Sequence, residues 1–170
     1  MNFSEIGIGI TWKLIDLGFK GSDVFKNELS AKEIIDFATM QMLKTLDEEA
    51  DIASLACEYV TNEDEINDLV KKLALKEDTE YCIEYRKWQV LYVKMHLPKA
   101  DTDFFAGLLE LGDIWCTLEF PTDSPHIFQG KDNNITPKQY YTQENYNYLL
   151  RKHVEWIENE VRALQQTSSL

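Results

Sequence analysis

A chain of 170 residues with 44% hydrophobic and 12% aromatic side chains can bury a core of its own, so folding requires neither a metal nor a disulfide framework. Its 17 basic and 30 acidic residues leave a net charge of -13, concentrated between Glu28 and Glu84, where 16 acids meet 5 bases. A folded surface of that sign repels nucleic-acid phosphates and anionic membranes and attracts a basic protein.

Met1 to Ile10 shows no period. It has no basic n-region, and its apolar run is too short for a signal or a span, so the cytoplasm is the expected location. Thr11 is placed to cap a short helix with Leu14, Ile15 and Leu17 apolar, Lys13 and Asp16 on the polar side, and Gly18 at its end. Phe19 to Leu29 reads as a loop anchored by Val24 and Phe25. Ser30-Ala31-Lys32-Glu33 has the form of a capping box and opens a helix to about Leu46, with Ile34, Phe37, Ala38 and Met42 inward. Asp47 to Asp51 forms an acidic turn. Ile52, Leu55, Ala56 and Tyr59 resume the helical pattern, and Asn62 is placed to cap a helix with Ile66, Leu69, Val70 and Leu73 inward and Asp64, Glu65 and Asp68 outward. The two segments predict a hairpin with an acidic outer side.

Thr79 to Leu97 is the densest apolar stretch. Tyr81, Tyr85, Trp88, Tyr92 and Met95 keep helical steps, Ile83, Val90, Val93 and Leu97 fill much of the rest, and Glu80, Glu84, Lys87 and Lys94 fall on one strip expected to reach water. Pro98 breaks the chain, and Asp101 or Asp103 can restart it. Phe104, Leu108, Leu111, Trp115 and Leu118 then predict a helix in spite of Gly107 and Gly112, a strand from Ile114 to Phe120 being the alternative. Pro121 to Tyr141, rich in Pro, Asn, Asp and Gly, reads as a long irregular loop. A last helix begins near Thr142 or Gln143 with Tyr146, Leu150, Val154, Ile157, Val161 and Leu164 in register. The expected architecture is all-α: a single-domain irregular bundle of about six or seven helices around the central helix Thr79 to Leu97.

Chemistry-bearing patterns are sparse. His96, His126 and His153 have no partner at metal-ligand spacing, and Gly7-Ile8-Gly9 lacks the third glycine and the lysine of a phosphate cradle, so no metal or cofactor is expected. Cys57, Cys82 and Cys116, odd in number and with apolar neighbours, read as buried free thiols of a reducing compartment. The remaining candidate is the acidic hairpin: Asp47, Glu48, Glu49 and Asp51, then Glu63, Asp64, Glu65 and Asp68, with Asp68 and Lys72 the clearest favourable pair.

Thr11-Trp12 with Leu14-Ile15 and Gly18, Glu33-Ile34-Ile35 with Phe37-Ala38, Lys87-Trp88 with Leu91-Tyr92, and Ile114-Trp115 with Phe120-Pro121 and Phe128 give the chain a further character. In these residues it resembles a family of small uncharacterised bacterial proteins whose members have been linked to toxin immunity. The resemblance implies a non-enzymatic inhibitor, kept in the producing cell, that binds a cognate toxin domain. The charge fits a basic, nuclease-like partner, with the hairpin acids standing where substrate phosphates would lie and Tyr59 or aromatics of the Ser124 to Tyr141 loop as apolar anchors. Two other classes stay open: a small helical enzyme using Glu110, Asp113, His126 and His153, and an interaction or scaffold protein using an apolar surface.

Overall fold

A computed structural model describes residues 7–20, 29–44 and 50–167. Among them are eight helices and no strand: α1 (Trp12–Lys20), α2 (Ala31–Lys44), α3 (Ala50–Ala56), α4 (Glu63–Ala74), α5 (Tyr81–His96), α6 (Phe104–Thr117), α7 (Pro137–Tyr140) and α8 (Gln143–Thr167). The all-α expectation holds. Val24, Phe25 and the turn residues Asp47, Glu48 and Glu49 lie outside the described residues. The chain divides into two compact units, Met1–Trp88 and Gln89–Leu170.

In the first unit α1 and α3 both pack on α4, and α2 packs on α3. Thr11 caps α1: its hydroxyl accepts from the Leu14 amide at 3.1 Å. The next two free amides, of Trp12 and Lys13, donate to the Glu77 carboxylate at 2.7 and 2.9 Å. A helix start normally satisfied by water is thus held by a distant acid. Gly18 does not end this helix, which continues to Lys20. Its role is packing, since a Cβ there would stand 2.7 Å from the Trp88 ring and 2.8 Å from Leu29. Ser30 and Glu33 form the expected capping box, each side chain taking the other's backbone N–H, at 2.9 Å for Ser30 and 3.3 Å for Glu33. Ile34, Leu55, Ile66 and Val70 are fully buried, whereas Met42 and Tyr59 are exposed, Tyr59 because α3 stops at Ala56. Asn62 precedes α4 without capping it; its amide donates to Glu58 instead, at 2.7 Å.

The strip of α5 expected to reach water is corrected at its centre. Glu84 is 0% and Lys87 4% exposed, paired at 2.9 Å, with the Thr11 hydroxyl donating to the second Glu84 oxygen at 2.5 Å. Periodicity placed the two on one side, but nothing in it says whether that side is covered. A carboxylate and an ammonium one turn apart satisfy each other, so the centre of the strip can be buried while Glu80 and Lys94 stay exposed. Of the apolar steps expected inward, Tyr81 and Met95, near the ends of the helix, are exposed.

In the second unit Asp103 caps α6, accepting from the amides of Phe105 and Ala106 at 3.0 and 3.1 Å. The segment is helix through Thr117, and the strand alternative is overturned. α6 packs on α8. A Cβ on Gly107 would sit 2.4 Å from the Tyr146 ring, so the glycine that weakens the helix is what admits α8's largest buried phenol. The hydroxyl of that phenol donates to the Lys99 carbonyl at 2.8 Å. The helix ends before Pro121 is reached. Glu119 donates back to the Cys116 carbonyl at 3.2 Å and Phe120 to the Trp115 carbonyl at 2.9 Å, a Schellman closure built without glycine. Glu119 and Phe120 therefore hold φ of 56° and 54°, which costs side-chain-bearing residues about 1 kcal/mol or more each.

Asn133 organises the middle of the long loop, with Gln129 donating beside it to the Ile135 carbonyl at 3.0 Å. Asn133 donates to the carbonyls of Phe128 and Lys131 at 2.8 and 2.7 Å and accepts from the amides of Gly130 and Ile135 at 3.2 and 3.1 Å, using both ends of its side chain fully. α7 follows on Pro137, and Thr142 then caps α8 through the Asn145 amide at 3.1 Å. On α8 the buried side is Tyr146, Leu149, His153, Trp156, Ile157 and Leu164; Val154, expected inward, is exposed. The stripe turns toward His153 because its imidazole finds hydrogen-bond partners inside.

Candidate partner-binding surface

Of the acids in the sequence-predicted site, Asp51 lies on α3 and the other described ones on α4. The Asp51 carboxylate receives Lys72 at 2.6 Å and Lys76 at 2.7 Å, and these hydrogen bonds, Lys72's first, hold it below the usual carboxylate range. It ties α3 to the C-terminal end of α4. Lys72 is thereby committed to Asp51 rather than to Asp68, which instead has Lys71 at 3.9 Å.

Glu63, Asp64, Glu65 and Asp68 are all exposed, and the first three make no ion pair among the described residues. Glu63, Asp64 and Glu65 occupy the first turn of α4, where the unpaired amides and the positive end of the helix dipole favour each carboxylate by roughly 0.3–1 kcal/mol. That placement offsets part of their mutual repulsion. Immediately before them Tyr59 is 75% and Val60 51% exposed, a phenol and an isopropyl group beside a run of carboxylates. Glu58, next in the chain, accepts from the Tyr59 amide at 3.0 Å and from Asn62, which lowers its pKa and fixes the turn that presents Tyr59.

The residues of the enzyme alternative are placed in two environments. Glu110 and Asp113, one turn apart on α6 and both exposed, line an open pocket of about 320 Å³ with Tyr92, His96, Ile114 and Thr117. His96, which sequence reasoning did not join to them, stacks on Tyr92 at 4.1 Å, its Nδ1 2.9 Å from the Tyr92 carbonyl. His126 and His153 are buried with ring centroids 5.5 Å apart. The Trp115 indole donates to His153 Nε2 at 2.6 Å, so Nδ1 carries the proton and donates to the Leu149 carbonyl, also at 2.6 Å. His126 Nε2 lies 3.1 Å from the Tyr140 hydroxyl. Burial, reinforced by the neighbouring His153, pushes His126 down to about 3; burial likewise lowers His153, and raises the Tyr140 phenol to about 12. Both imidazoles are neutral core groups at physiological pH.

The cysteines are free as expected but exposed rather than buried. Cys116 shows why. Leu111, Ile114, Trp115 and Leu118 fill the inward side of α6, and the position after Trp115 is rotated out of it. Among the described residues no group of three or more His, Cys, Asp or Glu side chains is arranged to hold a metal ion, and no helix is long and apolar enough to cross a membrane.

Fold and surface together define an all-helical protein that presents carboxylates beside an exposed tyrosine. The chain belongs to the family described as "Uncharacterized protein conserved in bacteria (DUF2247)", whose model matches residues 1–161. No curated protein and no solved structure matches it.

Proposed function

We propose that this chain is a non-catalytic immunity-type protein, acting in the cytoplasm of a bacterial cell, that binds and neutralises a basic, nuclease-like toxin domain. The observation that carries the reading is the exposed Tyr59-Val60 pair leading into Glu63, Asp64, Glu65 and Asp68, of which only Asp68 has a lysine within ion-pair distance among the described residues. Tyrosine is a preferred anchor of protein interfaces because it buries a large rigid surface and keeps a polar tip. Carboxylates around such an anchor steer a basic partner and set its encounter rate, while the anchor governs how long it stays. The toxin is inhibited by occlusion: the acids take the positions that substrate phosphates would occupy, and no bond is made or broken.

The test needs a candidate toxin domain, sought as the C-terminal part of a large secreted protein encoded beside this gene. Changing Glu63, Asp64, Glu65 and Asp68 together to Gln and Asn should leave the helical circular-dichroism spectrum unchanged and slow association by at least about tenfold at low ionic strength, with the difference shrinking as salt is added. Tyr59→Ala should act instead on dissociation. Association indifferent to both salt and the four substitutions would refute the proposal.

A further inference from the structure

The second unit holds an open pocket of about 430 Å³ just beyond the end of α6, within the range of small-molecule sites. Its walls include Phe120, Ile127 and Phe128, with Phe120 and Phe128 edge to face at 5.0 Å and both Phe120 and Ile127 exposed. Lys131 stands in it with its ammonium 4.4 Å from the Phe120 ring centroid and 5.5 Å from that of Phe128, and it makes no ion pair among the described residues. In a chain of net charge -13, an ammonium left to aromatic faces is a cation held ready for a ligand.

The polar groups beside it are donors. His126, only 7% exposed, lines the pocket, and the protonated Tyr140 phenol has one hydrogen to give and the Nε2 of a neutral imidazole to receive it. The tautomer with its proton on Nδ1, which Tyr140 supports by donating to Nε2, places an N–H at a buried atom that has no hydrogen-bond partner among the described residues. Ser124 Oγ accepts the His126 backbone N–H at 3.2 Å, which leaves its hydroxyl hydrogen to donate. A buried ring nitrogen without a partner is rare enough in folded proteins to need an explanation, and a ligand that accepts from the Nδ1 tautomer is one. The backbone is held unusually on both sides of the pocket: Phe120 and Asp132 have φ of 54° and 56°. Backbone in such sparsely populated conformations gathers at ligand sites, where the surrounding structure maintains it. The Asp132 carboxylate, also in the lining, disfavours a doubly charged anion such as phosphate.

We propose that this pocket is a binding site for a small aromatic monocarboxylate, its ring against Ile127 and the Phe120–Phe128 pair and its carboxylate on the Lys131 ammonium and the donors of Ser124 and His126. This site is separate in residues and chemistry from the acidic surface, and it stands or falls independently of the toxin-binding role. The probe is 3-phenylpropionate, titrated into the ¹⁵N-labelled full chain, with phenethylamine as a cation of similar size and inorganic phosphate as a compact anion. Saturable shifts of the amides between 120 and 132 are expected with phenylpropionate, at a dissociation constant on the order of 1 mM for a ligand this small, and not with the other two. Lys131→Met, a substitution at an exposed position that keeps the stem over the rings, should weaken binding by about tenfold or more, and Lys131→Arg should retain it. No saturable shift with phenylpropionate, equal binding of phenethylamine or phosphate, or a Lys131→Met variant that binds as well as the parent would each overturn the proposal.

Discussion

Acidification should destabilise the second unit through His126 in a way that can be isolated. The imidazole titrates near 6.5 when the chain is unfolded and is pushed down to about 3 in the fold, chiefly by burial and then by the neighbouring His153. A group whose folded pKa lies below its unfolded one contributes stability that is complete above pH 6.5 and is lost as the pH falls toward 3, because in that window only the unfolded chain takes up the proton. Each pH unit in the window is worth about 1.4 kcal/mol, so the loss attributable to His126 is about 2 kcal/mol at pH 5 and approaches about 5 kcal/mol near pH 3. His153 adds to the trend in the same direction: an imidazolium there would turn an N–H toward the Trp115 N–H that it now accepts. The comparison is with His126→Gln, which cannot titrate and whose amide oxygen can still accept from Tyr140. Urea unfolding at pH 7 and pH 5 should show the parent losing about 2 kcal/mol more than the variant, and the His126 Cε1–H resonance should keep its chemical shift down to about pH 4. Parallel losses in the two proteins, or a His126 resonance that titrates near 6.5, would show that the imidazole is not held neutral by burial.

The buried pair of α5 makes a second test. Lys87→Met leaves the fully buried Glu84 carboxylate with, among the described residues, the Thr11 hydroxyl alone and should cost about 3–5 kcal/mol in urea unfolding, while Glu84→Leu combined with Lys87→Met should recover most of it. If the double variant is no better than the single one, the pair is not the source of the loss. The two glycines of α6 should respond oppositely to alanine. Gly107→Ala drives a methyl to 2.4 Å from the Tyr146 ring and should lower stability by roughly 1–3 kcal/mol despite the better helix propensity. Gly112→Ala meets nothing closer than 3.8 Å and should raise stability by up to about 1 kcal/mol, and melting temperatures that move together would contradict this account.

What could be read from the residues and what could not divides along the range of the forces involved. Local patterns carried the helices: the Ser30–Glu33 box, the Thr11 and Asp103 caps and the apolar steps of α4 and α6 all stand where their spacing puts them, because a cap or an amphipathic stripe is decided within a turn or two of chain. The acids at the start of α4 were legible as an exposed run for the same reason. Gly18, by contrast, read as a helix end and Gly107 as a weak point within one, and both serve as clearance for Trp88 and Tyr146, side chains distant in the sequence.

The sequence by itself determined an all-helical, strongly acidic chain and most of its helix boundaries. Tertiary structure alone decided which polar groups the interior would take, Glu84 with Lys87 and His153 with the Trp115 indole, and that at the surface Asp51 would tie itself to Lys72 of α4 and to Lys76 just beyond it. Helical period fixes the direction in which a side chain leaves its own helix, but the free energy of a buried charge or imidazole depends on whether another segment of the chain brings a partner to that place. That partner comes from packing, and its arrival turned the centre of an expected solvent strip into core and an expected binding acid into a joint between α3 and the end of α4.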